Sequence, residues 1–124
     1  MAMVGNTDGG HMARYVIFFT YSSGSWEQLI KNPEFDRTAA MRQIADSMGG
    51  TLESVNWMFG PYDGIEVLDV PDSITAAALS VTLISSGAFK HVETHELLNE
   101  QQMGQAIQAC NRSRQAFRPP GEPG

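Results

Sequence analysis

"FGPYDGIEVLDVPDS", Phe59 to Ser73, contains a turn, a strand and a helix start in one short run. Pro61 suits the second position of a turn, because its fixed φ already matches that geometry. The segment "DGIEVLDV" alternates around Glu66 and reads as a strand. Asp72 or Ser73, after Pro71, supplies the side-chain acceptor that starts a helix. Upstream, "TLESVNWMF" is a second strand, so "GPYD" connects two strands as a hairpin.

The pattern extends in both directions. "RYVIFFTY", Arg14 to Tyr21, is a strand whose two alternating sets are both apolar, which calls for cover on both faces. Ser25 with Gln28 reads as a capping box of a short helix, and Asn32-Pro33 as a restart. Met41, Ile44, Ala45 and Met48 then form a helical stripe that Gly49-Gly50 ends. After Asp72, Ile74, Ala77, Ala78, Val81 and Ser85 lie on one side of a helix and Leu79 and Leu83 on the other. A helix apolar on both sides packs against two things. "FKHVETHELL" is a fourth strand. Asn99 with Gln102 caps a last helix, whose stripe of Met103, Ala106, Ile107 and Cys110 is expected to be buried.

The order is βαββαβ plus a terminal helix. It predicts an α+β, ferredoxin-like sandwich with an antiparallel sheet and both main helices on one face. The first strand still needs cover on its other face, and a second sheet is the simplest source in a small chain. A homodimer or higher homo-oligomer, pressed sheet to sheet as a dimeric α/β barrel, is therefore expected.

Composition sets further bounds. The 124 residues suit one domain. Residues 1–12, "MAMVGNTDGGHM", read as an expression tag and cloning junction, residues 13–111 as the domain, and residues 112–124 as a flexible Pro/Gly-rich tail. No apolar run reaches the ~18 residues of a membrane span. The single cysteine, Cys110, forms no internal disulfide, and a cytoplasmic location is the default. A net charge of −6, without a basic stripe in the core, argues against nucleic acid as partner.

The chain resembles the GYD-domain family from about Tyr15 to Ile107. The resemblance rests on Arg37, Gly49-Gly50, Gly60-x-Tyr62-Asp63, Pro71-Asp72, Ser86-Gly87 and Glu93-Thr94. It implies a ferredoxin-like α/β-barrel fold and a small oligomer, and no established activity. Two features depart from the family pattern. "YSSGSWEQLIKNPEFD" is longer than the usual first turn, and His91 and His95 stand where smaller or less basic residues are expected.

Candidate chemistry is concentrated at three places. Tyr62 and Asp63 read first as hairpin anchors, with Asp63 accepting backbone N–H groups. As a binding pair they would need Asp63 buried or beside a basic group. His91, Glu93 and His95 share one face of a strand, ~7 Å between neighbours and ~13 Å between the outer two. The histidines therefore cannot share a metal on a straight strand, and no metal site is expected. One histidine oriented by Glu93 would serve as an acid–base catalyst. The plainer alternative is a polar edge-strand face. Glu66 is expected on the side away from the helices, near Asn56, where it needs a partner. Arg37 is a candidate charge partner unless it points to solvent. Trp26, Trp57, Tyr15, Tyr21 and Phe59 are pocket candidates or simply core.

No phosphate loop, CxxC, HExxH or G-x-S-x-G motif is present, and no cofactor is expected. Three functions fit. The first is a homo-oligomer binding a small, largely apolar molecule. For it, Tyr15, Trp57, Tyr62, Asp63, His95 and Arg37 are the candidate ligand contacts. The second is a cofactor-independent isomerase, cyclase or oxygenase acting on an aromatic or lactone-like substrate, with His91, Glu93 and Glu66 as its catalytic candidates. The third is a structural or interaction module without a pocket.

Overall fold

The computed structural model describes residues 12–122. Most of the expected tag therefore lies outside the described residues. The elements are β1 (Ala13–Tyr21), α1 (Ser23–Lys31), α2 (Arg37–Ser47), β2 (Thr51–Trp57), β3 (Gly64–Val70), α3 (Ser73–Ser85), β4 (Phe89–Leu97) and α4 (Glu100–Ala116). The four strands form one antiparallel sheet in the order β2-β3-β1-β4. This is the expected ferredoxin-like α+β arrangement with an added terminal helix.

Tyr15, Ile17 and Phe19 of β1 face the helices. With Leu52, Leu68 and Val70 from the sheet, and Ala45, Ala76, Leu79 and Leu83 from α2 and α3, they make up the buried core. The Leu79/Leu83 side of α3 is the buried one. Its other apolar side stays exposed within the chain, at Ile74 and Val81, so here α3 packs against one partner rather than two.

Two helix starts differ from expectation. Ser22, not Ser25, caps α1, its side chain accepting from the Ser25 N–H at 3.1 Å. Ser25 instead donates its hydroxyl to the Ala88 carbonyl at 2.7 Å, tying α1 to the start of β4. Asn32 closes α1 rather than opening α2. Pro33 has no N–H to continue the ladder, and the chain turns through 33–35 before the Asp36 carboxylate accepts the Ala39 N–H at 2.9 Å. The Asn99–Gln102 capping box is present as read.

The α4 helix runs to Ala116, past the expected boundary at 111, and buries none of its residues. Cys110 is therefore exposed, not buried. An amphipathic stripe specifies that a face wants cover, not that the same chain supplies it.

Candidate functional site

Helices α1, α2 and α3 stand on one side of the sheet and leave a cavity of about 620 Å³ between them. Its walls come from Leu29 of α1, Met41 and Ile44 of α2, and Leu79 and Leu83 of α3. The segment between Tyr21 and Asp36 supplies α1, which buries no residue of its own and walls this space.

Glu66 and Tyr21 are the sheet's polar contributions to this lining. The expectation for Glu66 is overturned here. Ile17, a core residue, lies directly opposite Glu66 across the β1–β3 ladder, so both face the helices. Asn56 pairs with Ile65 and lies on the other face. Both alternating sets of β3 contain one acid and two apolar residues. Polarity alone thus pointed the strand the wrong way, and a one-residue slip inverts every side chain.

Glu66 is 5% exposed, yet no side chain among the described residues hydrogen-bonds or ion-pairs with it. Burial alone raises its carboxyl to about 7. Tyr21 Oη accepts from the Trp57 indole N–H at 3.3 Å, which leaves the phenol proton free to donate. Burial also pushes the Tyr21 phenol up. Arg37, in the first turn of α2, brings a charge to the lining from the helix side. Its guanidinium sits 5.5 Å from the Trp57 ring centre, and Nη1 donates to the Pro33 carbonyl at 3.2 Å.

The hairpin explains the Gly-x-Tyr-Asp motif locally. Asp63 donates its N–H to Phe19 O at 2.8 Å, accepts from Met58 N–H at 2.9 Å, and takes the Tyr21 N–H on its carboxylate at 2.9 Å. It staples the β2–β3 turn to the end of β1. Asp63→Ala leaves that amide unpaired, so a loss of about 2 kcal/mol in urea unfolding is expected, with Asp63→Asn recovering most of it. Tyr62 turns elsewhere. Its ring packs 5.0 Å from Phe18, and its hydroxyl donates to Glu93 Oε1 at 2.9 Å. The two neighbours do not bond to each other, so they form no binding pair.

His91, Glu93 and His95 do share a face, the one away from the helices. Each pairs across β1 with an open-face residue: Thr20, Phe18 and Val16 respectively. Glu93 Oε2 lies 2.8 Å from His95 Nε2, and Oε1 lies 3.4 Å from His91 Nε2. Hydrogen bonds from His95, Tyr62 and His91 hold the Glu93 carboxyl at about 2. Both imidazoles are half exposed. The sheet therefore separates the three catalytic candidates, with Glu66 on the cavity side and His91 and Glu93 on the other.

Among the ligand-contact candidates, only Arg37 lines the cavity. Tyr15 is buried elsewhere and bonds to Glu96, and Trp57 supports Tyr21 and Arg37 from behind. Asp63 borders a separate depression with Trp26 and Lys90. Phe59 is fully exposed. The sequence reading missed the apolar walls from α1 and α2. Their signal, the Met41/Ile44 stripe, is the same one that marks an ordinary core face.

The model of the GYD domain family matches residues 15–107. No curated protein matches the chain.

Proposed function

The chain belongs to the GYD-domain family, and we propose that it binds a small, largely apolar molecule in the helix-side cavity and works as a homo-oligomer. One observation carries the reading: an apolar-walled cavity of about 620 Å³ with a single buried carboxyl that no side chain among the described residues pairs with. That volume falls within the ~300–1,000 Å³ of small-molecule pockets, and a few fixed polar groups in apolar walls are their usual composition.

Oligomer formation is supported by the sheet face opposite the helices, where Phe18, Ile65 and Val67 stay partly exposed. The exposed Met103 and Ile107 of α4 point the same way. Among the described residues no helix is long and apolar enough to cross a membrane. The lone thiol, Cys110, fits a reducing cytoplasm.

A second reading, a cofactor-independent isomerase, is favoured by Glu66 in particular. A carboxyl poised near neutrality in an apolar site suits general acid–base work. As carboxylate it takes a proton from a carbon next to a carbonyl, the C–H pair moves into the enolate, and the same proton returns to a different carbon.

Native mass spectrometry of protein taken straight from cells tests the binding. The expected result is a multimer carrying a small extra mass. Ala40→Trp, which fills the cavity from α2, should remove that mass without changing the subunit number. An identical mass on both proteins, or none on either, counts against the cavity as the binding site.

A further inference from the structure

The cavity holds two charged groups, Arg37 and Glu66, which are not paired with each other. Glu66 belongs to the sheet floor, Arg37 to the first turn of α2. Arg37 has no carboxylate within 4.0 Å among the described residues.

Arg37 is nevertheless held in place. The Trp57 ring lies against its guanidinium, and one of its N–H groups is used on Pro33 O. Its remaining donors are uncommitted among the described residues, on a side chain that is half-buried at the cavity. A planar guanidinium fork with free donors matches a carboxylate in a bidentate way. A single fork, with an acid on the same cavity's floor, suits a monoanion better than a phosphate dianion.

We propose that the cavity's ligand is an apolar monocarboxylic acid. Its carboxylate sits on Arg37, its hydrocarbon or aromatic body lies between Met41, Ile44, Leu79 and Leu83, and its far end reaches Glu66 and Tyr21. Glu66, when protonated, and the free phenol proton of Tyr21 offer hydrogen bonds to a carbonyl or hydroxyl there. This rests on the cavity being the ligand site, and it adds which ligands the site selects.

The test is calorimetric titration of the full chain with 4-phenylbutyrate, phenylacetate and octanoate, each against the alcohol of equal length. The acids should bind about tenfold or more tightly than their alcohols, the range of a charge-assisted hydrogen bond. Arg37→Met should abolish that preference by weakening the acids far more than the alcohols, with an unchanged circular dichroism spectrum showing that the variant is folded. Arg37→Lys should restore part of it. Equal binding of acids and alcohols by the wild type overturns the carboxylate assignment and leaves the cavity reading standing. A preference that survives Arg37→Met overturns it too, by placing the anion elsewhere. No binding of any probe overturns the carboxylate proposal together with the cavity reading.

Discussion

Glu66→Gln raises stability at pH 9 by about 3 kcal/mol and leaves it nearly unchanged at pH 4; this is the expected result of urea titrations of the two proteins. The sign follows from the direction of the shift. The Glu66 carboxyl titrates at about 7 in the folded chain, against 4.5 ordinarily. Between those values the folded state keeps a proton that the unfolded state has released. Unfolding is therefore increasingly favoured as pH rises through this window, and the effect is complete above pH 7. A shift of that size corresponds to about 3 kcal/mol.

Gln keeps the shape and removes the ionisation, so the difference between the two proteins isolates this one group. Its amide is neutral, like the protonated carboxyl it replaces, so no burial of charge is expected. Parallel pH curves for the two proteins would mean that the carboxyl is solvated in the folded state, and the proton-transfer reading would go with it. Glu93 acts in the opposite sense. Its carboxyl is held at about 2, so its contribution is present above the ordinary 4.5 and is lost as pH falls through 2.

Gly64→Ala should cost about 3 kcal/mol, at the upper end for an inserted methyl group in a packed core. A Cβ at Gly64 would overlap Phe19 Cζ and come within 2.7 Å of both Cε atoms. The ring has no free direction to move in. Phe19 is fully buried and packs at 5.3 Å from Tyr21 and 5.5 Å from Phe89. Gly64 lies directly opposite Phe19 in the β1–β3 ladder, so backbone displacement would pull on the Asp63 staple as well. Two controls sharpen the test. Gly104→Ala, on exposed α4 with nothing within 4 Å, should be neutral or slightly stabilising. Phe19→Leu combined with Gly64→Ala should cost less than the two single losses together, because the smaller side chain relieves the overlap. Full additivity would show that the ring and the glycine do not meet.

The family motif shows how far local chemistry reaches. Gly60, Pro61 and Asp63 announce a turn because each has a local backbone role, and the turn is there. Asp72 and the Asn99–Gln102 pair announce helix starts for the same reason. The face of Glu66 was a different kind of question. Its strand alternates correctly under either assignment, and only pairing with Ile17 selects one. Likewise the stripe of Met41 and Ile44 is equally consistent with a filled core and with a cavity wall. The difference is the distance at which α1 and α2 stand from the sheet, and no periodicity encodes that distance.

The sequence by itself determined the order of elements, the antiparallel ferredoxin-like sheet, the turn at Gly60-Pro61 and the shared face of His91, Glu93 and His95. All of these follow from interactions within a few residues or from the period of a strand or helix. Tertiary structure decided that Glu66 is buried beside Tyr21 and that Arg37 joins them, with no acid partner among the described residues. It also placed the histidines across the sheet from all three. These are contacts between residues far apart in the chain, set by strand register and helix docking, and a site assembled that way exists only once the sheet has closed against its helices.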